Sequence, residues 1–521
     1  MNPPPGPLPN IREGKKGGGL QKYENLNYDF IIIGSGIGGL VSGIILAKEG
    51  HSVCILEKNH QAGGNLQTFK RDGYKFSTGL HYIGSMEEGQ TLHRFFKYLG
   101  ILPYLKLKQL DKEGYDRIVF GEEETTYKLA QGWDHFKDSM ISQFPEEKAA
   151  IDDYVATVHD SLKSIPVYDL ETAGSFNLDL SRLDRCTMAY LGSITQNQRL
   201  KHVLAGANSV YHGAAHRTPL YMHSCIRNSF VSSAWKVSGG SDHLTDVLLQ
   251  AFSAAGGTIV TDAPVTGFSM DNDKIDGVIL KDGTKYSGKQ VISNMHPAAT
   301  LQLSGLEKIR AGYKQRIESL ENTAGFFTLY LVFKEDFFPY LNYNLFQYYH
   351  DDYFSDQLTE EHWPHSYVIY TPFYEEGRKF TRTASIISFM KNEECRKWVE
   401  LPPDQRGQDY YDFRERKAEK LLDAVEKRYP GIRQGVEKYY VSTPVTFKDF
   451  TGSPEGSGYG ILKDCKDPVR SIVLPRTKIP NLYFTGQNLN IHGILGTTTS
   501  AFITCSEIIG FKNLINKVIN A

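Results

Sequence analysis

The chain has 521 residues, 40% hydrophobic and 23% charged, with a formal net charge of −2. That length exceeds what one hydrophobic core usually supports, so two joined domains are expected, and the near-neutral balance lacks the basic footprint of a nucleic-acid binder. Cys54, Cys186, Cys225, Cys395, Cys465 and Cys505 are scattered without a C-x-x-C pair, which argues for free thiols in a reducing, cytoplasmic setting.

Residues 1–26 are rich in Pro and Gly, lack the apolar core of a signal peptide, and read as disordered. Tyr28 to Gly34 is a β-branched run closed by glycine, a buried parallel strand. A helix from Gly38 to Glu49 and a strand from His51 to Glu57 complete a βαβ unit. Leu92, Phe95, Phe96 and Leu99 share one helical face, with Gly100 at the C-terminal cap position. Asp111 to Leu129 reads as a hairpin, and Pro145–Leu162 and Gln196–Tyr211 as helices. Gly239-Gly240-Ser241 introduces a helix from Asp242 to Ala255. Strands are expected at Thr258–Thr261, Val265–Met270, Gly277–Leu280 and Gln290–Asn294. An aromatic-rich stretch from Phe326 to Phe354 precedes an amphipathic helix over Arg414–Tyr429. Asn481 to Gly486 is a last strand, and Gly493 to Gly510 a closing helix. The expected partition is a nucleotide-binding domain in three pieces, residues 27–86, 232–304 and 442–521. A second domain is inserted as residues 87–231 and 305–441. No apolar run reaches the roughly 18 residues of a membrane-spanning helix, which leaves peripheral membrane contact open.

Gly34, Gly36 and Gly39 fit G-x-G-x-x-G, with Ser35 and Gly38 between them. The first glycine permits the tight turn, the second lets backbone approach a pyrophosphate, and the third lets helix and strand pack closely. The helix N-terminus offers unpaired N–H groups to phosphate, and Glu57 stands where a carboxylate accepts from ribose hydroxyls. That acid disfavours a 2′-phosphate, so the site suits FAD or NAD. Gly63-Gly64 can lay further backbone along a diphosphate. The late strand–turn–helix with Gly486, Gln487, Leu495 and Gly496 supplies the second helix terminus that a flavin needs and NAD does not. The dinucleotide is therefore read as FAD.

The pattern from Tyr28 to Gly64, followed by Gly73 to Gly84, resembles the phytoene desaturase and carotenoid isomerase superfamily. Within it, Gly79-Leu80-His81-Tyr82-Ile83-Gly84 is most similar to the retinol saturases. Gly239–Ser241, Ser457–Gly460 and Ile479–Gln487 agree with that branch. The resemblance implies a glutathione-reductase-like Rossmann FAD domain with an inserted α+β substrate domain on a mixed sheet. It implies chemistry on conjugated polyenes, by saturation, desaturation or isomerisation. By the same resemblance Gly34, Gly36, Gly39, Glu57, Gly63 and Gly64 hold the ADP half, and the Val265 backbone meets the adenine. Gly486, Gln487, Leu495 and Gly496 lie by the ribityl chain and flavin. Two positions depart from many relatives: Asn65 stands where Arg follows the glycine pair, and Gln487-Asn488 where an acid follows the Thr-Gly turn.

A saturase needs a hydride and a proton, with NAD(P)H or a partner reductase as electron source. His81 or Tyr82 is the first candidate proton donor, and His492 another, against the plainer role of hydrogen-bonded core residues. The aromatic run from Phe326 to Tyr349 either walls a polyene tunnel or packs a core, the latter expected for most of it. The Leu92–Leu99 face and Ile101–Lys108 either dip into a bilayer or, as preferred, pack inside. Two other functions share the fold: a flavin amine oxidase, and a prenyl-lipid carrier of the GDP dissociation inhibitor type. The intact glycines and Glu57 argue against the carrier.

Overall fold

In the computed structural model the described residues are 26–163, 165, 168, 170, 182–306, 309–349, 354, 358–373 and 376–521. Of the stretch read as disordered, residues 1–25 lie outside them. Strand β1, Asn27–Ile33, is buried from Phe30 onward, because both faces of the sheet around it are covered. It pairs in parallel with Val53–Leu56 (β2) on one side and Lys285–Ser293 on the other. Thr258–Val260 adds outside β2, and Leu482–Phe484 runs parallel beside Val291–Ser293. Val265–Asp271 and Lys274–Leu280 extend the sheet as an antiparallel pair. Among the described residues the sheet has seven strands, drawn from three distant stretches of chain.

Helix α1, Ile37–Lys48, is buried from Gly38 to Ala47. It is packed between the helices Gly493–Ile509 and Ser241–Ala254. A helix apolar on all sides in this way belongs to an interior, not to a surface.

A second seven-stranded sheet runs in the order Val436–Ser442, Gly325–Phe333, Thr383–Met390, Ser366–Tyr370, Asn344–Tyr348, Asp116–Phe120, Tyr127–Leu129. Asn344–Tyr348 and Asp116–Phe120 pair in parallel, and the other neighbours are antiparallel, so the sheet is mixed. The alternation in Phe327, Leu329, Leu331 and Phe333 suggests a half-buried strand, yet Gly325–Phe333 is buried along nearly its whole length. Those four side chains form a core with Phe413, Leu421 and Val425 of the helix Gly407–Arg428. Tyr330 and Val332 face the other way, onto Phe76 of a hairpin built from Thr68–Arg71 and Tyr74–Ser77. Both faces are dry because the strand lies between the outer helix and the nucleotide-binding part.

Thr91–Leu99 forms the expected helix, stopped by Gly100 at φ 79°. Leu92, Phe95, Phe96 and Leu99 are all buried, and the Phe95 ring stacks on Phe502 of the closing helix with centroids 4.2 Å apart. Burial of each such side chain is worth roughly 1.5–3 kcal/mol, so this face belongs to the core and not to a bilayer. No helix among the described residues is long and apolar enough to cross a membrane.

Candidate active site

The glycine loop sits where three strand ends meet. Gly34, at φ +92°, donates its N–H to Leu56 O across 2.8 Å as the chain leaves β1. A Cβ on Gly39 would lie 2.0 Å from Gly34 O, and one on Gly38 would lie 2.4 Å from Asn294 Oδ1 and 2.7 Å from Gly486 Cα. One on Gly36 would lie 2.8 Å from Asn294 Nδ2. Asn294, read from sequence only as the last residue of a strand, therefore fills the space between the loop and the Gly486 turn. Gly64 closes the cradle from the other side, its Cβ position 3.0 Å from Gly36 Cα.

Glu57 is the organiser of this cradle. Its Oε2 accepts from Ser35 N at 2.9 Å and Ser35 Oγ at 2.6 Å, and its Oε1 accepts from Asn59 N at 2.9 Å. Ser35 Oγ in turn accepts from Gly63 N at 3.1 Å, so one carboxylate ties the glycine loop to the glycine pair. An ionised carboxylate has about four lone-pair sites, which leaves about one for a ribose hydroxyl. Ala263 N donates to Glu57 O at 2.8 Å and brings Val265 to the same cavity wall. At the opposite end, Asn65 Nδ2 reaches Gln487 Oε1 at 3.4 Å, while Asn65 Oδ1 is buried without a partner. Leu495 and Gly496 lie in the first turn of the closing helix, behind His492.

A single cavity of about 390 Å³ runs from this cradle into a chamber walled by Phe230, Phe326, Tyr348, Tyr370, Phe389 and Tyr459. Of the aromatic run, Phe326 and Tyr348 line it, whereas Phe327, Tyr330, Phe333, Phe338 and Phe346 are core. Rings pair along the wall: His81 on Tyr370 with centroids 4.3 Å apart, Tyr82 on Phe230 at 4.3 Å, and His492 on Tyr459 at 4.2 Å. The size is ordinary for a small-molecule site, and the apolar walls with few polar groups fit a lipophilic ligand.

The family profile described as flavin containing amine oxidoreductase matches residues 37–509. The chain belongs to that family. The human all-trans-retinol 13,14-reductase is 28% identical to it, over 99% of this chain and 92% of the relative. The chloroplastic prolycopene isomerase of Arabidopsis thaliana is 24% identical, over 88% of this chain and 79% of the relative. These relatives agree with the resemblance carried by Gly79–Gly84. Among solved structures, cyclohexylamine oxidase from Brevibacterium oxydans IH-35A superimposes with a TM-score of 0.55, at 16% identity, over 95% of this chain and 99% of that one. At that identity the likeness shows the fold alone.

The cradle fits the cofactor of a flavin oxidoreductase. Glycines stand where any side chain would collide, the closing helix presents its N-terminus, and the orphaned Asn65 Oδ1 awaits a donor. The titratable groups of the chamber divide sharply. Burial, then the Lys236 charge, lowers His81 to about 4, and burial with the Lys463 charge lowers His492 to about 3. Both rings are neutral near pH 7, and the Nε2 of each is buried without a hydrogen bond. Neither holds the extra proton that a histidine acid donates.

Tyr82 differs, because its hydroxyl donates to Asp116 Oδ2 at 3.1 Å. Burial raises Asp116 to about 7, against the opposing effects of Asn344, Arg227 and Tyr82. Asp116 had no signal in the sequence, being a lone acid at the start of a short strand. Lys463 was equally silent. Its Nζ donates to the carbonyls of Ser471, Asn488 and Leu489 at 2.9, 2.9 and 2.8 Å, pinning the loop that carries Gln487 and His492.

Proposed function

We propose that this flavin oxidoreductase acts on a carbon–carbon double bond of a lipophilic polyene of retinoid or carotenoid type, with saturation as its forward direction. The observation that carries the reading is the continuity of one cavity, in which an aromatic chamber opens directly onto the glycine cradle. Glu57 is the one carboxylate on the cavity wall among the described residues, and it is engaged at the cradle. The chamber thus offers a protonated amine no counter-charge, which weighs against an amine substrate. The relatives named for retinol reduction and prolycopene isomerisation support the same substrate class.

When bound, FAD supplies two-electron chemistry at its N5, giving or taking a hydride equivalent. Gly34, Gly36, Gly39, Glu57, Gly63 and Gly64 would hold the ADP half, with Val265 at the adenine. Gly486, Gln487, Leu495 and Gly496 would serve the ribityl chain and flavin. Phe230, Phe326 and Phe389 exclude water and align a flat, conjugated chain. Tyr82 offers its phenolic proton at the chamber wall, and His81 orients Tyr370 by stacking. NAD(P)H or a partner reductase supplies the electrons, since the sequence carries only one dinucleotide fingerprint.

The test is anaerobic mixing of FAD-loaded, dithionite-reduced protein with retinol, carotenoids and amines in turn. Reoxidation of the flavin by a polyene, with a saturated product, is expected. Bleaching of oxidised enzyme by an amine, with no reoxidation by any polyene, would overturn the substrate class. A protein with no flavin absorbance even after FAD addition would overturn the enzyme reading as a whole.

A further inference from the structure

Asp116 is 0% exposed and lies behind the cavity wall, on the strand Asp116–Phe120. Its Oδ1 accepts from Asn344 Nδ2 at 2.8 Å, from its register neighbour on the parallel strand, and its Oδ2 accepts from the Tyr82 phenol. Tyr82 is itself in the cavity wall, stacked on Phe230. Among the described residues, the one hydroxyl that touches this carboxyl therefore belongs to a residue that also lines the substrate chamber.

The groups facing Asp116 come from every element around it. They are Tyr82 from the Gly79–Gly84 segment, Tyr115 beside it in the chain, Tyr348 and Tyr370 from the neighbouring strands, and Arg227 from the helix Leu220–Ser232. Arg227 is the one cation in that set, and its Nη2 is held on Leu204 O at 2.7 Å. A buried carboxyl without a contacting cation is held neutral more readily than charged. Of its two hydrogen-bond partners among the described residues, Asn344 and Tyr82, only the Tyr82 hydroxyl lies in the cavity wall and can pass its proton on.

We propose that Asp116 is the proton reservoir behind Tyr82, supplying the proton that the phenol hands to the polyene; the inference rests on the polyene reading above. With the carboxyl protonated, the 3.1 Å contact runs from Asp116 Oδ2–H to the Tyr82 oxygen, and the phenol proton turns to the chamber. The Tyr82 O–H bond breaks as a C–H bond forms on the substrate, and the Asp116 O–H bond breaks to restore the phenol. Once product leaves, the carboxylate is reprotonated by way of Tyr82 from a hydronium ion or buffer acid of the solvent. The hydride equivalent that completes saturation comes from the added reductant by way of the cofactor and is no part of the relay. Asp116 acts through Tyr82 and touches no substrate, so it is a positioning and proton-supplying residue. Because the relay needs the protonated carboxyl, the rate should fall as pH rises through about 7.

The test uses dithionite-reduced, FAD-loaded full chain mixed with retinol in single turnovers across neutral pH. Asp116→Asn keeps the shape and both neighbours but holds no transferable proton. It should slow saturation by about 10²- to 10⁴-fold, the usual contribution of an acid, with the retinol concentration for half-maximal rate little changed and the pH dependence gone. Asp116→Glu should recover part of the rate and the pH dependence. Tyr82→Phe leaves the carboxyl in place and should show the same loss if Asp116→Asn proves unable to fold. A wild-type rate and pH profile in Asp116→Asn or Tyr82→Phe would overturn the relay while leaving the polyene reading intact. Infrared titration reads the reservoir without turnover: a protonated-carboxyl band that persists near pH 6 and vanishes in Asp116→Asn is expected. Its absence in the wild type would overturn the proposal even if a polyene is reduced.

Discussion

Asn65 Nδ2 donates to Gln487 Oε1, joining two residues 422 positions apart in the chain. The resemblance read from the sequence implies Arg and an acid at these two positions, and the structure brings the residues that stand there into contact. A neutral amide pair closes the cradle. Gln487→Ala should weaken FAD binding by about 0.5–1.5 kcal/mol, the net value of a neutral hydrogen bond. Asn65→Ala should cost a similar amount, and the double variant little more than either alone. Flavin fluorescence titration of the three variants measures the coupling, and fully additive losses would show that the contact has no role in binding.

Glu57→Ala removes the acceptor of three hydrogen bonds from Ser35 and Asn59. Bonds to a charged group are worth about 1.5–3 kcal/mol each, so the loss should reach the folded loop before any ligand is considered. Apoprotein Tm should drop and FAD occupancy fall at least about tenfold. An unchanged Tm with reduced occupancy would restrict Glu57 to a ribose contact.

Gly39→Ala places a carbon 2.0 Å from a backbone carbonyl that cannot move aside. It should separate α1 from β1 and abolish flavin retention. Gly312→Ala is the control, in the helix Ala311–Glu318 with no atom within 4 Å of the new carbon. That change should be neutral or stabilising by up to about 1 kcal/mol. Purified flavin content and thermal melts decide the comparison.

Asp116 also makes stability depend on pH, with a sign opposite to that of a salt-bridged acid. Its folded value, about 7, lies above the roughly 3.9 of an unfolded aspartate. The folded state thus binds more protons between those values, and the stability this group contributes is lost as pH rises from about 4 to 7. Asp116→Asn should therefore gain stability relative to the wild type above pH 7, on the order of a few kcal/mol. Denaturant unfolding at pH 5 and pH 8 measures the difference, which should be less than half as large at the lower pH.

What the sequence disclosed was local. The strand read over Tyr28–Gly34 appears as Asn27–Ile33, and Gly100 caps the helix read from Leu92 to Leu99. Glycine spacing, β-branched runs and helical periodicity are written within a few neighbouring residues. The silent parts of the site depend on partners far away: Asp116 meets Tyr82 34 residues earlier and Asn344 228 residues later. Asn294 and Lys463 likewise owe their roles to strand ends and carbonyls that no local pattern predicts. The Gly325–Phe333 alternation misleads about exposure for the same reason, since its second face is covered by a hairpin from the other end of the chain.

The cradle draws on residues around Gly34–Asn65, Ala263–His296 and Gln487–Thr497, in order of synthesis. Synthesis must therefore proceed from Gly34 to Thr497 before the last wall exists. Until Phe484 emerges the Val291–Ser293 edge, later covered by Leu482–Phe484, stays open, as an unpaired strand prone to wrong partners. Edge protection is thus needed from the emergence of Ser293 to that of Phe484, and cofactor loading only after Thr497 has emerged.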